Sequence, residues 1–487
     1  MSSDRLNALD ASFLYLEDTT TPMHVGGVLI FQKPEAGFDY ESLVNLIADR
    51  ISLVPRYRQR VRSIPGRIAN PVWVDDEGFD VTYHVRRSAL PRPGTRQQLD
   101  ELVGRIMGRP LDRDRPLWEL YLVEGLEGNQ FALLTKTHHA MVDGIRAVDL
   151  GEVILDTEPE PRRVEQVQWQ PHREPSSVEL VAEAIGEMAR SPRAVVSSVV
   201  TAAEDLQSTA TSVGRNLVGI ASALRTVSRP ARSGPLNAQV GTARRFGSAD
   251  VRLADLKAIK QAHGGTINDV VLTVVAGALR TWMLERGETL RDSVRAMVPV
   301  SVRMPGTSSG NHVSAFLCDL PIGEPDPVAR LEQVRFEMDM LKESGQMLGA
   351  SAMVGVAGFT PPTLHALGAR VGSQLSRRVY NLVVTNVPGP QFPLYAAGAE
   401  MLTAYPVVPL AKGQSVSVGL TSYNGGVYFG LNADRDAIPD VDVLGQCIED
   451  AVAELLAIEP RRPRVRKKAA AKQAPAKKTA AAKQTSP

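Results

Sequence analysis

The residues best suited to chemistry are Thr137-His138-His139-Ala140-Met141-Val142-Asp143-Gly144, an HHxxxDG arrangement. Upstream, Phe131, Leu133, Thr135 and Thr137 alternate with Ala132, Leu134 and Lys136, a period-two pattern that predicts a strand running into the motif. If the strand continues, the two histidines point to opposite faces, and only one serves a given cavity. By parity His139 falls with Phe131 and Leu133, and His138 with Leu134 and Lys136. Downstream, Ile145, Val148 and Leu155, with Ala147 and Ile154, follow helical spacing, which puts the motif at a strand-to-helix junction. Diverging neighbours do not chelate one ion and no third ligand is spaced for it, so a metal site is not expected. Acid–base chemistry remains, because neutral imidazole titrates near physiological pH. Taken singly, each residue has a structural alternative: Asp143 could cap the helix, Gly144 could relax the turn, and either histidine could be a satisfied core residue. The four together at this spacing would arise by chance in on the order of one in a thousand chains of this length.

Positioning such a motif requires a large mixed fold. The chain has 487 residues, 43% hydrophobic and 22% charged, which excludes one small domain and a disordered chain and predicts two or three domains. Val25 to Phe31, Trp118 to Val123 and Phe131 to Thr137 are expected strands, with Tyr40 to Leu53 an amphipathic helix. Residues 1–165 therefore read as one α/β unit. Residues 166–240 read as a linker, Pro/Arg/Glu/Gln-rich at first, with helical spacing over Ser177 to Arg190 and Ala194 to Val227. Those helices pack on the body or lie on a membrane; their weakly basic polar face favours packing. The α/β texture returns over 241–460, with a helix over Asn268 to Arg286 and strands over Ser293 to Arg303, Asn381 to Thr385 and Ser415 to Tyr423.

Charge and composition bound the setting. The formal charge of +1 conceals +10 in 461–487, which holds four Arg, six Lys and no acid, and leaves −9 on the rest. That Ala/Lys-rich tail is expected to be disordered. It is either a solvated appendage or an electrostatic contact for anionic lipid or, without sequence preference, nucleic acid. The longest apolar stretch, Val270 to Leu279, is shorter than the roughly 18 residues of a membrane span, and no secretory signal is visible after Met1. Two cysteines, Cys318 and Cys447, without a CxxC pattern, fit a reduced cytoplasmic setting and no disulfide framework.

The HHxxxDG motif and the blocks Asp10-Ala-Ser-Phe-Leu, Pro22-Met-His-Val-Gly, Pro116-Leu-Trp-Glu, Pro235-Leu-Asn, Thr266-Ile-Asn-Asp-Val-Val-Leu, Pro299-Val-Ser-Val-Arg, Asn386-Val-Pro-Gly-Pro and Ser422-Tyr-Asn-Gly span nearly the whole body. Together they resemble the bacterial wax ester synthase/acyl-CoA:diacylglycerol acyltransferase family, within the CoA-dependent acyltransferases related to chloramphenicol acetyltransferase and condensation domains. The resemblance implies two chloramphenicol-acetyltransferase-like α/β domains joined by the partly helical linker, with an active-site tunnel between them. It implies that His139 is the general base on an alcohol attacking an acyl-CoA thioester in a ternary complex, with His138 supporting it. It further implies an ion pair between Asp143 and Arg303, with Gly144 at the motif's turn.

Asn268 is either an oxyanion donor or a helix N-cap. Trp118 and Glu119 are expected to pack rather than react, and Met23 and His24 either approach the channel or belong to the core. Acyl-CoA is a substrate, so no cofactor and no metal is expected. The expected acceptor is diacylglycerol, with a long-chain alcohol as the alternative. Since no spanning segment is expected, contact with an inner membrane or lipid-droplet surface would be peripheral. No specific nucleic-acid partner is expected. A non-catalytic lipid-binding or droplet-coat protein is the alternative of another class, against which the intact His139 and Asp143 argue.

Overall fold

The alternating residues before the motif form the strand Gln130–His138, and its neighbours build a six-stranded sheet around it. The strand order is Tyr395–Ala396, Ala399–Val407, His24–Gln32, Gln130–His138, Trp118–Leu126 and Val85–Ala89, and only the last pair is parallel. The structure is a computed structural model and describes residues 4–35, 37–142, 150–165, 169–190, 234–302, 312–343, 348–349 and 379–459. One face of this sheet buries Phe31, Phe131, Leu133 and Trp118. The other buries Val28, Leu134 and Tyr405 under the helix Arg96–Met107, whose start is fixed by a capping box between Thr95 and Gln98.

A seven-stranded mixed sheet carries the second half, in the order Leu348–Gly349, His312–Leu320, Val294–Val302, Leu382–Pro388, Val416–Tyr423, Gly426–Asp434 and Arg244–Arg252. The helices Ile267–Glu285 and Val441–Leu456 bury its core, from Val270 and Trp282 to Ile448 and Leu455. Ile267–Glu285 has the length and composition of a membrane span, yet 72% of its apolar window is buried inside this core. That explains its hydrophobic run without a membrane. A smaller sheet of Asp4–Arg5, Val72–Asp75 and Gln59–Arg62 flanks the first half. The expected linker helix Ser177–Arg190 packs on it, with Leu180 and Ala184 against Ile64, Val72 and Val74. The second expected linker helix, 194–227, and the tail 461–487 lie outside the described residues.

The two halves are not independent along the chain. Ala399–Val407, deep in the segment expected to form the second half, completes the first sheet beside His24–Gln32. Close backbone contact holds the halves together: a Cβ on Gly104 would stand 2.7 Å from the Arg244 carbonyl oxygen, and one on Gly430 would collide with the Pro406 carbonyl.

Candidate active site

His138 ends the central strand and His139 begins a helical turn, His139–Val142, so the motif does lie at a strand-to-helix junction. Their backbones are pinned from both sides: His138 N–H donates to the Leu117 carbonyl at 2.9 Å and His139 N–H to the Met23 carbonyl at 2.8 Å. His138 is 1% exposed. Its Nδ1 accepts the Ala140 N–H at 3.1 Å, which puts the proton of the neutral ring on Nε2. Nε2 faces the Glu17 carboxylate at 3.6 Å.

His139 is half-buried, its ring stacked on Phe13 at 4.0 Å between centroids and 25° between planes. Phe13 and Glu17 both come from the first helix, Ala8–Leu16, Phe13 within it and Glu17 as its C-cap. Four residues apart, they share one side of the helix end. One short helix thus supplies the platform for His139 and the clamp for His138. Asn7 starts that helix by accepting the Asp10 N–H.

Glu17 is the functional candidate that sequence reasoning missed. Its carboxylate accepts the Met23 N–H at 3.1 Å and Arg113 Nε at 3.0 Å, and Arg113 also donates to the Leu14 carbonyl at 2.9 Å. Burial pushes its carboxyl upward, but His138 and Arg113 outweigh burial and hold it down at about 2. It is therefore an anion at neutral pH. The second half grips the same stretch, through Lys412 Nζ on Asp18 at 3.3 Å and through Arg244, which donates to the Thr20 carbonyl.

His24 pairs across the strands with His138 and is core, 2% exposed. Its Nε2 donates to the Met107 carbonyl at 2.7 Å, and burial with the nearby Lys136 charge lowers its pKa to about 3, so it stays neutral. On the His138 face the buried Lys136 pairs with Glu119 at 3.2 Å, and Glu119 also takes Arg86 at 3.1 Å and the Tyr121 hydroxyl at 2.9 Å. Burial lowers the Lys136 ammonium, and Glu119 opposes that. Trp118 is fully buried, stacks on His84 and donates Nε1 to the Tyr57 carbonyl at 2.8 Å. Glu119 and Trp118 thus hold the sheet under the motif.

Asp143, Gly144 and Arg303 lie outside the described residues, and with them the expected ion pair. Asn268 is placed, and the cap reading for it is corrected. Thr266 is the N-cap of Ile267–Glu285 and shares a capping box with Asp269, leaving Asn268 inside the first turn. No hydrogen bond joins Asn268 to either motif histidine among the described residues. The described residues hold no group of three or more metal-type ligands.

The chain matches the model of the wax ester synthase/diacylglycerol acyltransferase catalytic domain over residues 6–271 and that of the WS/DGAT C-terminal domain over 309–456. A probable diacylglycerol O-acyltransferase of Mycobacterium tuberculosis is 35% identical over 474 residues, 96% of this chain and 99% of that one. A second from the same organism is 45% identical over 263 residues, 53% of this chain and 96% of that one. The solved wax ester synthase/diacylglycerol acyltransferase of Marinobacter aquaeolei superposes with a TM-score of 0.67 at 28% identity, over 93% of this chain and 98% of that one. The first condensation domain of the calcium-dependent antibiotic synthetase shares the fold, with a TM-score of 0.55 at 16% identity over 95% of this chain and 98% of that one. On these matches, and on a histidine pair held at a strand end inside two sheet-rich halves, the chain belongs to the wax ester synthase/diacylglycerol acyltransferase family and is an acyltransferase.

Proposed function

We propose that the protein transfers a long-chain acyl group from acyl-CoA to the hydroxyl of diacylglycerol, forming triacylglycerol and free CoA, with His139 as general base. The observation that carries this reading is the His139 ring, stacked on Phe13 and held at the end of the central strand beside a His138 clamped by Glu17. The neutral imidazole takes the alcohol proton as the oxygen attacks the thioester carbonyl. Collapse of the tetrahedral intermediate expels the CoA thiolate, which receives that proton. No covalent acyl-enzyme is required, because both substrates meet at one base and their orientation lowers the barrier. The acyl chain would lie in a tunnel between the halves.

His138 takes a supporting part: its ring accepts the Ala140 N–H and lies buried facing Glu17, contacts that would steady the backbone that aims His139. Asp143 and Arg303 would brace the turn at Gly144 as an ion pair. Asn268 remains the candidate oxyanion donor, at the start of a helix whose N-terminal dipole favours negative charge. Diacylglycerol is membrane-dissolved, so the protein would act peripherally, at the inner membrane or at lipid droplets. The +10 of 461–487 would supply attraction to anionic headgroups. Vesicle binding that is unchanged by removal of 461–487 over a range of salt would refute that docking role.

The family description favours a second acceptor class, long-chain alcohols. Free CoA released from palmitoyl-CoA with dipalmitoylglycerol, with hexadecanol, or with neither decides among the readings. Release that depends on dipalmitoylglycerol supports the proposal, and release confined to hexadecanol assigns a wax ester synthase. Release with no acceptor, or none at all, overturns both.

A further inference from the structure

A cavity of about 400 Å³ opens beside Glu17, between the end of the first helix, the strand Gln59–Arg62 and the turn leading to Arg67. Its walls carry the guanidinium groups of Arg60, Arg62, Arg67 and Arg113, together with Glu17 and the exposed Asp114. Leu14 and Leu117, whose carbonyls serve Arg113 and the His138 N–H, also line it. The cavity is therefore lined in part by the carboxylate that faces His138.

The cations are unequally neutralised. Arg113 is taken by Glu17. Arg60 and Arg62 share one carboxylate, Glu174 of the linker, at 2.5 and 3.1 Å. Arg67 is exposed and has no ion-pair partner among the described residues. With the pairing carboxylate Glu174 and Asp114 counted, the site keeps a surplus of positive charge, and Arg67 is the arginine left without a carboxylate partner among the described residues. Of the substrates in the reading above, only the acyl donor is anionic: diacylglycerol and long-chain alcohols carry no charge. A thioester placed at His139 trails a pantetheine arm that ends in phosphates. Planar guanidinium forks match phosphate oxygens in the same two-pronged way as they match carboxylates.

We infer that this arginine-lined cavity is the phosphate-binding subsite for the CoA moiety of the acyl donor, with Arg67, Arg62 and Arg60 as its cations and Glu174 as an internal carboxylate that the phosphates displace. The inference rests on acyl-CoA being the donor. Glu174 gives it a direction that a purely structural ion cluster would not have, since removing that carboxylate frees two guanidinium groups.

Calorimetric titration of the full chain with CoA and with pantetheine, which lacks the phosphates, tests it without requiring turnover. Wild type should bind CoA at least about tenfold more tightly than pantetheine, R67E should lose about tenfold for CoA alone, and E174Q should gain a few-fold for CoA alone. The CoA preference should shrink as salt rises. Equal affinities for the two ligands in wild type, or variants that shift neither or both alike, would overturn the subsite. So would an R67E protein that keeps its CoA affinity and loses binding to phosphatidylglycerol vesicles, which would assign the cavity to lipid headgroups. A wild type that binds CoA with this preference yet transfers no acyl group would refute the functional reading and leave the subsite standing.

Discussion

Replacing Glu17 by Gln keeps the side chain's shape and removes the charge between His138 and Arg113. In the folded protein this carboxyl is held at about 2, against an ordinary value of 4.5, while the side chain is only 7% exposed. A depression of that size corresponds to about 3 kcal/mol at most of stability that exists only while the group is ionised. The sign follows from proton uptake: below pH 4.5 the unfolded chain binds a proton that the folded one resists. The contribution is complete above that pH and disappears as pH falls toward 2. The stability difference between wild type and Glu17→Gln, read from denaturant midpoints across pH, should therefore be about 2 to 3 kcal/mol near pH 7 and close to zero near pH 2. Acyl transfer at neutral pH should fall on the order of a hundredfold, because a loosened His138 shifts the backbone that aims His139. A Glu17→Gln protein with wild-type turnover and a pH-independent stability difference would refute the clamp.

Phe13→Ala removes the ring under His139 and should lower kcat about tenfold with little change in KM, as steady-state kinetics would report; a change in KM alone would place Phe13 in substrate binding instead. Trp118→Phe keeps the buried ring and orphans the Tyr57 carbonyl, so it should cost about 1 to 3 kcal/mol in denaturation while turnover per folded molecule stays constant. Asp143→Ala and Arg303→Ala should each lose several kcal/mol of stability together with activity, and the double variant should lose less than their sum. Full thermal stability with lost activity would instead place Asp143 in the chemistry.

Much of this site was legible in the sequence because strands and helices report their faces locally. Alternation from Phe131 to Thr137 marked the strand that ends at His138, and the structure stacks His139 on Phe13 and buries His138. The helical spacing of 177–190 marked a helix, and its apolar Leu180 and Ala184 found a core. What was not legible depended on contacts across long stretches of chain. Glu17 meets His138 only because the first helix ends beside the central strand, and no periodicity links residues that far apart. Its visible sign was an acid closing an apolar helix four residues after Phe13. The passage of Ala399–Val407 into the first sheet is likewise a matter of which edge is free, which local pattern does not encode. Of the two readings of Asn268, the cap fails because Thr266 and Asp269 form a capping box around it, a pattern the sequence itself carries.

The central claim is that His139 alone removes the alcohol proton while His138 supports it. Turnover of palmitoyl-CoA and dipalmitoylglycerol by His139→Ala and His138→Ala, each normalised to folded protein, tests it most directly. His139→Ala should lose about 10²- to 10⁴-fold in kcat with its substrate affinities retained, and His138→Ala should lose less and lose stability with it. A folded His139→Ala protein that turns over within a few-fold of wild type would contradict the account.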